Sequence, residues 1–218
     1  MAHTIKHYSN ILIDEKETAR YLGFGTKTPD AQTQKLILKA KDELVLDCRV
    51  CAMETPVSVS ENGKITFDGF SVASKSLAKN LLGCEKAVVF GATIGAMFDR
   101  LLQKAEITSP AYAVVLQAAG TAAIESLCDT FCEELGETRP RFSPGYGDLP
   151  LEAQTDIFKV LDLSKNIGVT LSSSLLMIPT KSVTAIVGLG CGSEKAKSGC
   201  SACDKINCAY RKGGRHGT

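Results

Sequence analysis

From Arg139 to Asp148 the chain packs two arginines, two prolines, two glycines and a tyrosine into ten residues. An arginine offers a planar fork of donors that matches a carboxylate or a phosphate. Pro140 and Pro144 stiffen the backbone on either side of Arg141, so the groups between them are held ready in advance. Gly145 lets a ligand come close to the main chain, and Tyr146 adds a flat ring with a polar tip. Such a loop suits a small ligand with one anionic end and one flat part. It equally suits a rigid connector between two helices.

A second chemical cluster lies at the end of the chain. Cys191, Cys200, Cys203 and Cys208 follow the spacing C-x8-C-x2-C-x4-C within a polar, basic and loop-rich segment. Four thiolates with one CxxC can close a tetrahedral zinc site or anchor an iron–sulfur cluster, and either would order a tail too polar to build its own core. The alternative is a tail with free thiols. Cys48 and Cys51 also form a CxxC, but on a strand residues i and i+3 point to opposite faces and cannot grip one metal. Cys128 and Cys132, four apart on a helix, read as small core residues.

Glu125 stands in an apolar helical stretch, flanked by Ala122, Ala123, Ile124 and Leu127. A carboxylate there needs a partner or a solvent-facing stripe, and Thr121 and Asp129 supply such a stripe at i±4. Two glycine clusters, Gly91 to Gly95 and Gly188 to Gly192, follow strand-like runs. Neither has the spacing of a dinucleotide fingerprint and no Walker lysine follows, so tight turns explain them.

The elements that must position these residues alternate irregularly. Helices are expected over Asp14–Leu22, over 29–44 with Thr28 as cap and Pro29 in the first turn, over Ser74–Leu82, from about Ile94 to Lys104, from Pro110 to about Leu135, and through Phe158 and Leu161. Residues 1–13 read as a polar lead-in. Val57 and Val59 alternate with serines before Asn62-Gly63, which marks a hairpin. Strands are expected at Lys86–Phe90, Leu175–Ile178 and Ser182–Leu189. One clear hairpin among scattered helices favours α+β over a doubly wound sheet.

Composition narrows the function classes. With 218 residues, 44% hydrophobic and 22% charged, the chain can bury a sizeable core. A net charge of +1 argues against a phosphate-tracking surface, hence no nucleic acid. Ile107–Leu127 is about long enough to span a bilayer, but Ala, Gly and Thr dominate it, so a buried helix and no membrane are expected. The N-terminus has no apolar signal region, and an odd count of nine cysteines favours a reducing, cytoplasmic setting.

The order of motifs then meets a family. Arg141-Phe-Ser-Pro-Gly-Tyr146 precedes Pro150, a helix, Gly168 with Val169 and Leu171, and Ser173-Ser-Leu-Leu-Met-Ile-Pro-Thr-Lys-Ser-Val183. This series resembles the activation domain of vitamin B12-dependent methionine synthase, most densely over 139–187, and the first 80 residues are similar to its compact free-standing members. The resemblance implies an α+β fold with a curved antiparallel sheet flanked by helices, binding S-adenosylmethionine and docking over a cobalamin domain. There, an electron from a flavodoxin or ferredoxin-like donor reduces cob(II)alamin, and the methyl group of S-adenosylmethionine traps it. It implies that Arg141 holds the methionine or ribose end of the ligand, Ser143 and Gly145 offer backbone groups, Tyr146 lines the adenosine pocket, and Glu125 is a ligand-proximal carboxylate. The chain departs from the full-length type at Ser193-Glu-Lys-Ala196, where relatives carry Ser-Lys-Tyr-Tyr or similar, and in lacking an alignable acidic contact near the domain start.

The expected organisation is one domain, 1–189, with an N-terminal helical part (1–80) and an S-adenosylmethionine-binding part (81–189), followed by a Cys-rich tail (190–218). The expected function is a stand-alone, methyltransferase-type reactivation protein acting in trans on a corrinoid protein, as in methionine synthase. Two rivals remain: a corrinoid-protein docking module without S-adenosylmethionine activity, and an iron–sulfur electron relay built on the tail cysteines.

Overall fold

The computed structural model describes residues 3–60 and 62–190. In chain order the elements are β1 (Thr4–Tyr8), α1 (Glu15–Tyr21), α2 (Ala31–Glu43), β2 (Cys48–Pro56), β3 (Ser58–Val59), β4 (Lys64–Phe67), β5 (Phe70–Ala73) and α3 (Lys75–Asn80). Then follow β6 (Lys86–Thr93), α4 (Met97–Thr108), α5 (Pro110–Glu134), α6 (Ala153–Leu161), α7 (Leu163–Ile167), β7 (Thr170–Leu171), β8 (Met177–Ile178) and β9 (Ser182–Leu189).

The central sheet has the order β1-β2-β6-β9 with every neighbouring pair antiparallel. Helices cover both of its faces, so β6 is buried along almost its whole length and reads as a continuous apolar run. The period of two still sorts its side chains. Val88, Phe90 and Ala92 face the layer of α1, α2, α4 and α5. Ala87 and Val89 face α6, α7 and the small sheet β3-β4-β5. The fold is α+β with an antiparallel sheet between helices, as expected. Two of the four central strands come from residues 1–80, so the two expected parts share one sheet.

Helix α5 is the core of the first layer. Ser109 and Pro110 open it, and Gly136, at φ +81°, follows its end. By length and composition it is apolar enough to cross a membrane. Yet thirteen of its residues are buried, and it packs on α1, α2 and α4. It is the buried helix that the composition suggested.

Four local expectations are corrected. Residues 1–13 contain β1, an edge strand that needs few apolar residues because only β2 pairs with it. Lys6 and Tyr8 of β1 instead reach Glu134 at the end of α5 (2.6 and 3.0 Å). Asp30, not Thr28, caps α2, accepting from the backbone N–H groups of Gln32 and Thr33, and Pro29 precedes the cap. Gly91 is no turn: β6 runs through it to Thr93, and a Cβ there would sit 2.7 Å from the Leu163 methyl groups, so α7 lies directly on the sheet. Helix α4 consequently starts at Met97, after the turn at Gly95 (φ +86°).

The Cys48–Cys51 reading holds. Both side chains are buried on opposite faces of β2 and both thiols are free.

Candidate functional site

Helix α5 ends near the edge of the sheet, and the chain then turns back beside β9. Thr138 bridges Leu189 and Phe142 bridges Ile186. The backbone N–H of Arg139 donates to Gly188 O, and Phe142 and Ile186 exchange two bonds, all at 2.9 Å. Segment 138–142 thus serves as a short fifth strand. By alternation Arg141 and Phe142 face opposite ways. Phe142 packs with the layer of α6, and Arg141 points at α5.

There Arg141 meets the stripe at i, i+4 on α5. Its Nη2 lies 2.7 Å from Glu125 Oε2 and its Nη1 lies 2.8 Å from Asp129 Oδ1. The first contact is a hydrogen-bonded ion pair. The second has ion-pair distance but not hydrogen-bond alignment, and Nη1, buried, has no aligned acceptor. A guanidinium cannot lose its charge in a protein. Arg141 is therefore held between two carboxylates, with Nη1 buried beside Asp129 and short of an aligned hydrogen bond. Glu125 faces outward in the stripe with Thr121 and Asp129, and it is also the partner of Arg141.

Beneath the pair sit two thiols. Burial pushes both Cys128 and Cys132 above the ordinary cysteine range, against the opposing pull of Arg141. Both stay protonated at neutral pH and act as small core residues, as their spacing suggested.

The rest of the loop is a set of turns. Tyr146 N–H donates to Ser143 O, Leu149 N–H to Tyr146 O, and Gly145 N–H to Leu149 O (2.9–3.0 Å). Gly145 has φ +88°, a conformation open to glycine at no steric cost. Tyr146 is 60% exposed and its ring stands edge-on to Phe142 with centroids 6.3 Å apart.

What fixes this loop is Asp148, whose role the sequence did not announce. Its carboxylate accepts from Ser74 Oγ (2.6 Å) and from the backbone N–H groups of Lys75 (2.8 Å) and Ser76 (3.0 Å) at the start of α3. These bonds hold its carboxyl well below the usual carboxylate range. Arg139 Nη2 donates to Leu82 O and Asn80 Nδ2 to Pro140 O at the other end of α3. The loop is pinned at both ends.

A second residue without a signal of its own is Lys181, just before β9. Its Nζ lies 3.0 Å from Thr121 Oγ1, one turn before Glu125, and 5.5 Å from the centre of the Phe98 ring. Next to it, Asp99 takes both the N–H and the hydroxyl of Thr180.

The structure thus brings Arg141 and Glu125 together and puts Ser143, Gly145 and Tyr146 on the turn that follows. Cys191, Cys200, Cys203 and Cys208 lie outside the described residues. Among the described residues, no three His, Cys, Asp or Glu side chains converge on a metal site.

Comparison with known proteins falls on the same segment. Residues 129–207 match the family described as vitamin B12 dependent methionine synthase, activation domain. The matched stretch takes in Arg141, Ser143, Gly145, Tyr146 and three of the four tail cysteines, and ends one residue before Cys208. Among solved structures the chain is similar to one titled "Crystal Structure of the MetH Reactivation Domain bound to AdoHcy". The TM-score is 0.62 and the identity 14%, over 90% of this chain and 81% of that one, a likeness of fold. No curated protein matches.

Proposed function

We propose that this chain binds S-adenosylmethionine along α5 and the Arg141 loop and serves reactivation of a cobalamin protein, as a free-standing counterpart of the methionine synthase activation domain. The observation that carries this reading is the Arg141–Glu125 pair. A half-buried guanidinium sits beside a carboxylate, on a loop whose sequence matches the family and in a fold like that of an S-adenosylhomocysteine-bound domain. Carboxylate and sulfonium attract, and the exposed Tyr146 ring offers a surface for the adenine.

Cobalamin, held by the partner protein, supplies the methyl-accepting centre once a flavodoxin or ferredoxin-like donor has given it one electron. This chain positions the methyl donor and keeps water from it, so effective concentration is its contribution rather than proton transfer. Methyl transfer leaves S-adenosylhomocysteine in the site. The reading places the protein in the cytoplasm, with the cobalamin domain of methionine synthase or a similar corrinoid protein as partner.

Calorimetric titration of S-adenosylmethionine tests the reading. Micromolar binding is expected, weakened at least tenfold (about 1.4 kcal/mol) by Arg141→Ala. No heat up to millimolar ligand would overturn it in favour of a docking module without ligand. The tail cysteines are proposed to hold zinc or an iron–sulfur cluster, the latter making the chain its own electron relay. Metal analysis and the visible spectrum of anaerobic protein decide. A brown preparation supports the relay, and a colourless one with zinc refutes it.

A further inference from the structure

Lys181 and Arg141 reach the same stripe of α5 but differ in how they are compensated. Arg141 has two carboxylates beside it. Lys181 is half-buried and, among the described residues, forms no ion pair. Burial depresses its pKa and only Asp99 pulls against that. Asp99 is itself committed to Thr180 through both oxygens. Thr121 donates its hydroxyl hydrogen to Gln117 O and accepts from Lys181 Nζ. An ammonium carries three N–H donors, and this bond uses one. A desolvated cation whose one nearby acid is bonded elsewhere is costly, and groups perturbed in this way cluster at functional sites.

The spacing says which ligand group fits. Thr121 and Glu125 are one turn apart on α5, a rise of about 6 Å. The ammonium of Lys181 bonds Thr121, and Glu125 is the residue one turn further along the same stripe of α5. That is the complement of an α-amino acid, whose carboxylate and ammonium are fixed on one carbon. We propose that Lys181 is a further ligand-binding residue, taking the carboxylate of the ligand's amino-acid end while Glu125 receives its ammonium. The inference rests on the reading that this face of α5 holds an S-adenosyl compound.

Two probes separate the questions. S-Adenosylhomocysteine carries the amino-acid end, and 5′-methylthioadenosine lacks it. Titrated into wild-type protein, the first is expected to bind more tightly than the second. Lys181→Met should weaken S-adenosylhomocysteine at least tenfold (about 1.4 kcal/mol) and leave methylthioadenosine within about twofold, closing most of that gap. Lys181→Arg should keep the preference. If both ligands weaken together, or neither changes, the role of Lys181 is refuted while the S-adenosyl site stands. If wild type binds neither nucleoside, the functional reading itself fails. Should circular dichroism show the Met variant misfolded, Lys181→Gln, which keeps a donor but no charge, gives the same test with the same outcomes.

Discussion

Helix α5 has two unlike faces, and the contrast separates what holds this fold from what it offers to a ligand. Inward it is built of Leu116, Ala119, Ala123, Leu127 and Phe131, all almost fully buried, and so close to α4 that Gly120 leaves no room for a methyl group against Phe98. Outward, at steps of four, it carries Thr121, Glu125 and Asp129, met by Lys181 and Arg141. The inner face is closed by shape and the outer face by charge. Close packing contributes stability in proportion to area, whereas ion pairs that are partly open to solvent contribute less and can be rearranged around a ligand.

The largest expected effect is on the inner face. Leu127→Ala should lower the stability by about 2–5 kcal/mol, read as a shift of the denaturant midpoint with an unchanged slope. An unchanged midpoint would mean that the inner face is not the core. Gly120→Ala comes next. Helix propensity alone favours alanine by about 1 kcal/mol, but the new Cβ would stand 2.3 Å from a Phe98 ring carbon. The net result should be a loss of about 1–3 kcal/mol, and a gain in melting temperature would refute the close approach.

A smaller effect is expected from the loop that faces the outer stripe. Asp148 is depressed in the folded state, so its contribution is present above its unfolded pKa, near 4, and is lost as pH falls through its lower folded value. Asp148→Asn should therefore be less stable than wild type at pH 7, with the difference closing in strong acid. A constant gap across the acid range would show that the tie to α3 is not electrostatic. Smallest of all is Glu125→Gln, which should change stability by less than about 1 kcal/mol while abolishing the preference for S-adenosylhomocysteine over methylthioadenosine. A large fall in stability would erase the contrast between the two faces.

Much of this was legible from residue order. Ser109-Pro110 and Gly136 bracket α5, the β9 limits follow from its apolar run, and Arg141 with Glu125 emerged from the motif that resembles the activation domain. Other features were not legible, for physical reasons. β1 is an edge strand whose Lys6 and Tyr8 are tied by polar contacts, so it shows no apolar run. β6 hides its end because a central strand tolerates Gly91 where a helix must lie close. Asp148 and Lys181 gain their roles from residues 74 and 60 positions away along the chain, which no local pattern records.

The order of strands also sets a timetable for synthesis. β6 has β2 on one side and β9 on the other, and roughly ninety residues lie between its end at Thr93 and the start of β9 at Ser182. At ordinary translation speeds the free edge of this apolar strand waits on the order of 5–20 s for its partner. Through that interval it is a template for unwanted pairing, and a nascent chain needs shelter there. Segment 138–142 also pairs with β9, so its backbone bonds wait for the same strand even though its side chains already have α3 and α5 to meet.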